Sequence, residues 1–252
     1  MKRKKTEIAG RLVSVCLYTA ALPRDGARIR QQRARSSSAV RQMLNHKASW
    51  QKLETLLACN FSPGDLAVTL TYRDARLPQY KAQAVTRIKR FLRLLRESRR
   101  MRGEVLRYVY CTEGWHGDRR WHHHLILNAT GRDFEEIRAL WAEDGDDVDI
   151  KLLNQLDGAD QPGATVAEDY RGWAIYLTKE AREHGSPRVG ERMWVPSKGL
   201  LRPIVINEWC GNGETLTLPP GAWQLEASNV QNEYGEFSYL RYVLPLPAAK
   251  GA

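Results

Sequence analysis

From Asp65 onward the chain switches regularly between two hydrophobic periodicities. Leu66 to Tyr72 (LAVTLTY) is β-branched and predicts a strand, closed by a loop that contains Pro78. Between Ala82 and Arg102 the period lengthens. Val85, Ile88, Leu92 and Leu95 recur at helical spacing, while Arg87, Lys89, Arg90, Arg93, Arg96, Arg99 and Arg100 fill the remaining face, so an amphipathic basic helix is expected. Leu106 to Thr112 and Trp121 to Leu127 are two further strand-like runs. The polar stretch between them, Glu113 to Arg120, holds Gly114 and Gly117, which together predict an antiparallel hairpin. Asp133 to Ala142 opens with an Asp suited to an N-cap and a Glu three positions later, a capping-box pattern for a helix start. Val148 to Leu153 predicts a strand, Thr165 to Glu183 a helix, and Pro203 to Trp209 the last strand of the core.

This succession of helices with an antiparallel sheet predicts an α+β fold, a ferredoxin/RRM-like antiparallel sheet with helices on one face. The flanks differ in character. Residues 1–45 are basic and Ser/Arg-rich (RIRQQRARSSSAVRQ) and read as a possibly flexible arm. A short helix is expected at Ser49 to Cys59, inside a core domain spanning 46–210. Residues 211–252, with ETLTL and YLRYVL, read as a β-biased C-terminal extension.

Composition narrows the classes. In 252 residues, 42% hydrophobic and 27% charged side chains exclude wholesale disorder, and a net charge of +10 favours polyanionic partners, nucleic acid before membrane. The charge is uneven. Residues 1–130 hold 27 Lys and Arg against 9 Asp and Glu, a net of +18, whereas residues 131–252 hold 12 against 20, a net of −8. Cys16, Cys59, Cys111 and Cys210 form no CxxC pair, which argues against a zinc cage or a disulfide framework and for a reducing, cytoplasmic setting. Met1 to Leu22 carries basic residues and then an apolar run of signal-peptide length. Ser14, Cys16, Tyr18 and Thr19 dilute that run and an arginine-rich stretch follows it, so export is not expected. No stretch approaches the roughly 20 apolar residues of a membrane span, and no GxxxxGK[ST] phosphate loop occurs.

Four of the six histidines, His116, His122, His123 and His124, fall within nine positions. On a strand of period two, His122 and His124 project from one face and His123 from the other, with Leu125 and Leu127. Two imidazoles on one face, with Glu113 across the hairpin as an anionic oxygen donor, suit a catalytic divalent ion with open coordination positions. The competing reading is a polar hairpin face whose histidines are incidental. Downstream, DYRGWAIYLTKEAREHG places Tyr176 and Lys179 on one helical face. A phenol beside an ammonium and a Lewis acid is a competent phosphate nucleophile, although an aromatic at that spacing also fits packing with Trp173. Asp144, Asp146, Asp147 and Asp149 lack the ligand series of a calcium loop and read as a solvated turn. Trp115 and Trp121 flank the His strand and fit either base stacking or core packing.

Taken together, VTLTY at 68–72, HHH at 122–124 with Glu113 upstream, and AIYLTKE at 174–180 resemble the histidine-hydrophobe-histidine (HUH) endonucleases, particularly rolling-circle replication initiators of phage and plasmid type. The likeness extends through LNHKASWQKLETLLACNFSPGDLAVTLTY, EGWHGDRRWHHHLIL and SKGLLRP, covering about residues 44–205. It implies that His122, His124 and Glu113 bind Mg²⁺ or Mn²⁺. It further implies that Tyr176, assisted by Lys179, attacks a scissile phosphate in single-stranded DNA, leaving a 5′-phosphotyrosyl link and a free 3′-hydroxyl. The implied partners are an origin in single-stranded form and a host helicase and polymerase. Two departures stand out. His123 occupies the position where a hydrophobe is usual, and the positions four residues from Tyr176, where a second tyrosine is spaced in two-tyrosine members, hold Gly172 and Glu180. Tyr170 is six residues away, about 600° around a helix and so off the Tyr176 face. A single-tyrosine enzyme follows, whose second strand transfer needs another protomer, Tyr170 after rearrangement, or water.

The expected function is therefore metal-dependent nicking and strand transfer that initiates rolling-circle replication. The same chemistry would serve a relaxase or a transposase. A non-catalytic DNA-binding protein with a structural His cluster is the rival from another class.

Overall fold

The computed structural model describes residues 1–20, 39–114, 120–153, 169–179, 192–232 and 235–245. The chain divides into two compact units, residues 1–38 with 201–252, and residues 39–200. Elements are numbered along the chain.

The first unit is an antiparallel sheet of β1 (Lys2–Ala9), β2 (Leu12–Thr19), β8 (Ile204–Cys210), β9 (Trp223–Asn232) and β10 (Gly235–Val243), in the order β8-β1-β2-β10-β9. Residues 2–19 thus form a hairpin of paired strands, where a flexible arm was expected. Alternate residues explain why: Ile8, Val13, Val15, Leu240 and Tyr242 share one face and cluster with Leu216, Ala222 and Leu244, a small core that holds the hairpin. The apolar run Leu12–Thr19 is a sheet strand, its charged neighbours lying on the paired strand. Pro203–Trp209 was expected to close the core domain. Instead β8 pairs with β1 from Lys2 opposite Cys210 to Ile8 opposite Ile204, so the boundary falls near residue 200 and the C-terminal strands belong with the N-terminal ones.

The second unit contains α1 (Ala39–Asn60), β3 (Leu66–Thr71), α2 (Lys81–Met101), β4 (Tyr108–Glu113), β5 (His122–Leu127), α3 (Asp133–Trp141), β6 (Val148–Leu152), α4 (Arg171–Tyr176) and β7 (Val195–Pro196). The α+β class and the βαββαβ order are those expected from the sequence. All pairs are antiparallel, in the order β6-β3-β5-β4-β7. The helices, however, cover both faces. On one, Leu66, Val68, Leu70, Leu125 and Leu127 pack against Ile88, Phe91, Leu92 and Leu95 of α2 and Ile137 and Trp141 of α3. On the other, Ala67, Val109, Cys111 and Ile126 meet Leu53 and Leu57 of α1 and Ala174 and Leu177 of α4. Ser49–Cys59 is the inner part of the longer α1. Of Thr165–Glu183, residues 171–176 are helical; residues 165–168 and 180–183 lie outside the described residues.

Two polar details differ from the sequence reading. Asp133 sits at the first helical position, with Arg132 as N-cap. Its carboxylate accepts hydrogen bonds from the Thr130 and Gly131 amides and the Thr130 hydroxyl, while Glu136 binds Arg102, so no capping box forms. Arg99, counted on the basic face of α2, is fully buried and pairs with Asp133 at 2.7 Å and with the Asn128 carbonyl at 2.9 Å. The rest of that face is substantially paired: Arg87 with Asp144, Arg90 with Glu143 and Asp144, Arg93 with Glu97. The Asp144 to Asp149 turn is thereby tied to α2 as well as solvated.

Candidate metal centre and tyrosine

The β4–β5 register puts Glu113 directly opposite His122 and Cys111 directly opposite His124. His122, His124 and Ile126 therefore point to the face covered by α1 and α4, and His123, Leu125 and Leu127 to the face covered by α2 and α3. One nitrogen from each imidazole and a Glu113 oxygen all lie within 4.8 Å of one another. His122 Nε2 is 3.4 Å and His124 Nε2 3.5 Å from Glu113 Oε2.

The outer nitrogens orient both rings. His122 Nδ1 is 2.9 Å from the Arg120 carbonyl, which only accepts, so Nδ1 carries the proton and Nε2 presents its lone pair to Glu113. His124 Nδ1 meets the hydroxyl of Thr69, its cross-strand neighbour on β3, at 3.1 Å. Two inward imidazole nitrogens and a carboxylate oxygen, 4% exposed for the Glu113 residue, make a donor set that fits a divalent cation. Nothing in the geometry distinguishes Mg²⁺ from Mn²⁺.

Electrostatics agree. Burial pushes the Glu113 carboxyl up, but hydrogen bonds to His122 and His124 and the nearby charges, Lys179 among them, reverse this and hold it below the ordinary carboxylate range. Burial dominates at His124 and lowers it, favouring the neutral ring that ligation requires. At His122 burial again acts downward, yet Glu113 and the Arg120 carbonyl leave it raised.

His123 takes no part. It is completely buried on the opposite face, with Nε2 2.7 Å from the Tyr72 hydroxyl and Nδ1 2.9 Å from the Thr112 hydroxyl. Burial first, and then its two His neighbours, push it down to about 3, so it remains neutral. The question of which His pair is used is thus answered by alternation: 122 with 124.

Tyr176 ends α4 on the same face. Its hydroxyl lies 3.2 Å from His124 Nε2, and its ring is edge-on to His124 and to Trp173. Lys179 Nζ sits 3.9 Å over the Tyr176 ring centroid and 3.3 Å from Glu113 Oε2. Burial lowers the Lys179 ammonium, Glu113 and Tyr176 raise it, and the balance is upward, so it stays charged. All five sequence-predicted site residues therefore converge. Tyr170 does not: it is fully buried and donates its hydroxyl to the Phe61 carbonyl at 2.7 Å. Trp121 packs against the opposite core and Trp115 lies outside the described residues.

Residues 65–184, the stretch that carries this geometry, match the family model of Replication-associated protein ORF2. Over this segment the chain belongs to that family of rolling-circle replication initiators. No curated protein and no solved structure matches the chain significantly. The matched segment contains Glu113, His122, His124, Tyr176 and Lys179, and membership supports a role in replication initiation at a DNA origin. Among the described residues no helix is long and apolar enough to cross a membrane.

Sequence reasoning missed Thr69 and the Arg120 carbonyl, the groups that aim the two rings. Thr69 was visible only as the polar member of a strand triplet, and a backbone carbonyl leaves no mark in a side-chain pattern. It also missed a cavity of about 360 Å³ beside the site, lined by Thr69, His124, Asp149, Lys151, Trp173 and Tyr176.

Proposed function

We propose that this replication-associated segment nicks single-stranded DNA at an origin by transesterification onto Tyr176, starting rolling-circle replication. The observation that carries the reading is the placement of the Tyr176 hydroxyl 3.2 Å from His124 Nε2, beside the Glu113–His122–His124 donor set. A divalent ion bound there supplies Lewis-acid polarisation of a phosphoryl oxygen.

The chain's own residues supply the rest. Glu113, His122 and His124 hold the ion, with Thr69 and the Arg120 carbonyl fixing the rings. Tyr176 forms a new P–O bond as the P–O3′ bond breaks; the phenol gives up one proton and the leaving 3′ oxygen takes one up, so the ester count is unchanged. Lys179 holds a positive charge over the phenol and against Glu113, favouring the phenolate as it forms. The adjoining cavity, with Trp173 and Lys151 on its wall, has room for a nucleotide flanking the phosphate. Tyr176 stands alone at the site among the described residues, so resolution of the intermediate falls to a second protomer or to water.

The test is incubation of the protein with single-stranded origin DNA and Mn²⁺, followed by a denaturing gel. A protein–DNA adduct in wild type and none in Tyr176→Phe or His124→Ala supports the reading. An adduct undiminished in Tyr176→Phe sinks the nucleophile, and tight binding without nicking on the cognate origin favours a non-catalytic binder.

A further inference from the structure

The first unit lies outside the matched residues, and its sheet carries an ordered surface. Reading across the strands, Trp209, Arg3, Tyr18, Phe237 and Val230 are successive register partners on β8, β1, β2, β10 and β9. They therefore form one straight row on a single face, opposite the core of Val13, Val15, Leu240 and Tyr242. The next row on that face is Asn207, Lys5, Cys16, Tyr239 and Ser228. Trp209 is 46%, Phe237 42% and Val230 52% exposed.

From this row we infer a second nucleic-acid surface: the Trp209–Arg3–Tyr18–Phe237 face binds single-stranded DNA by stacking bases on its rings and contacting phosphates through Arg3 and Lys5. The inference rests on the proposed reading of single-stranded DNA as substrate and names a further contact for it.

Three observations select that occupant. Exposed aromatic rings on a pleated face are stacking platforms for unpaired bases of any sequence. Strands 4.7–4.9 Å apart, roughly the spacing of ordinary sheets, set the rings of Trp209, Tyr18 and Phe237 along a line that one extended strand can follow. Second, the cation lies within the row. The Arg3 guanidinium is 5.7 Å over the Trp209 ring and has no carboxylate partner among the described residues, while Lys5 pairs with Glu7 at 3.5 Å. Third, the nearby acids Glu214 and Glu236 are engaged on the other side by Lys4 and Lys2, which keeps negative charge off this row. An apolar protein partner would have to bury Arg3 unpaired, and a second copy packed face to face would bring like cations together, both costly. A polyanion with exposed rings meets neither penalty.

The experiment is fluorescence anisotropy of full-length protein with labelled dT30, run beside the adduct assay on the cognate oligonucleotide. Trp209→Ala with Phe237→Ala should weaken dT30 binding about tenfold or more, given the usual loss per stacked base, with an unchanged melting temperature. Arg3→Glu should weaken it and flatten the salt dependence. Adduct formation at saturating oligonucleotide should persist. Photocrosslinking of wild type to bromodeoxyuridine-containing DNA, which needs no variant, should map to Trp209, Tyr18 or Phe237. Affinity within twofold of wild type in the folded double variant overturns the inference, whether or not wild type forms the adduct. Crosslinks confined to residues 39–200 do the same, as does a dimer that the double variant converts to monomer without loss of DNA affinity. Absence of the wild-type adduct, with ring-dependent dT30 binding intact, removes the nicking proposal and leaves this surface standing.

Discussion

The Tyr176 hydroxyl and His124 Nε2 stand 3.2 Å apart although their residues are separated by 52 positions in the chain. β5 and α4 meet there because Ile126, two residues on from His124, and Ala174, two residues before Tyr176, share one hydrophobic cluster. A packing contact thereby sets a reactive distance, and removing the oxygen leaves the packing alone. Tyr176→Phe is expected to melt within a degree or two of wild type and to bind metal, while nicking falls by roughly 10³-fold or more, as for loss of a nucleophile. Single-turnover nicking kinetics measure it.

Metal should act on stability as well as activity. Glu113, His122 and His124 converge in the fold and not in an unfolded chain, so Mn²⁺ at 100 times its Kd is expected to add about 2.7 kcal/mol. Thermal melts with and without chelator read this. His124→Ala and Glu113→Gln should lose most of the shift, whereas His123→Ala should keep the shift while lowering the metal-free melting point.

Thr69 reaches the ion only through His124, to whose Nδ1 it is bonded. Thr69→Val preserves shape and is expected to weaken metal binding about 10- to 100-fold, the usual effect of removing an outer-shell partner. Calorimetric titration separates this from a folding defect, since excess metal should restore nicking in Thr69→Val and not in Tyr176→Phe.

Much of this site was legible because its signals are local. Alternation along WHHHLIL separates His123 from its neighbours, and a tight hairpin puts Glu113 opposite His122 without any knowledge of the rest. What the chain does across long separations was not legible. KRKK at 2–5 reads as a tail, because the strand that pairs with it, Ile204–Cys210, lies some two hundred residues on and its apolar partners come from β2 and β10. Arg99 reads as one more solvated cation, since its partner Asp133 belongs to another helix. Helices on both faces could not be told from helices on one, because a buried strand such as LAVTLT hides which of its sides is covered twice.

The Arg99–Asp133 pair is a stability element rather than a DNA contact. Both groups are buried and Asp133 also accepts the Thr130 and Gly131 amides, so removing one partner strands the other. Arg99→Ala is expected to cost about 3–5 kcal/mol in denaturant melts. Lys89→Ala, an exposed change on the same helix, should fall within about 0.5 kcal/mol of wild type.

Gly145 marks a close approach behind the site. A Cβ there would lie 1.9 Å from the Thr71 carbonyl oxygen, the same oxygen that accepts the Trp141 indole hydrogen bond. Gly145→Ala should therefore destabilise by about 1–3 kcal/mol, through overpacking against backbone. Its metal-induced stabilisation should survive, because the displaced strand end lies beyond Thr69.

Mass spectrometry of the trapped adduct bears most directly on nicking through Tyr176. Wild-type protein is reacted with single-stranded origin DNA and Mn²⁺, digested with nuclease and protease, and searched for a residual nucleotide on each tyrosine. The expected result is a 5′-linked nucleotide on Tyr176 alone, absent when His124 is replaced by Ala. A nucleotide on another tyrosine, or cleaved DNA with no protein-linked nucleotide, would contradict it.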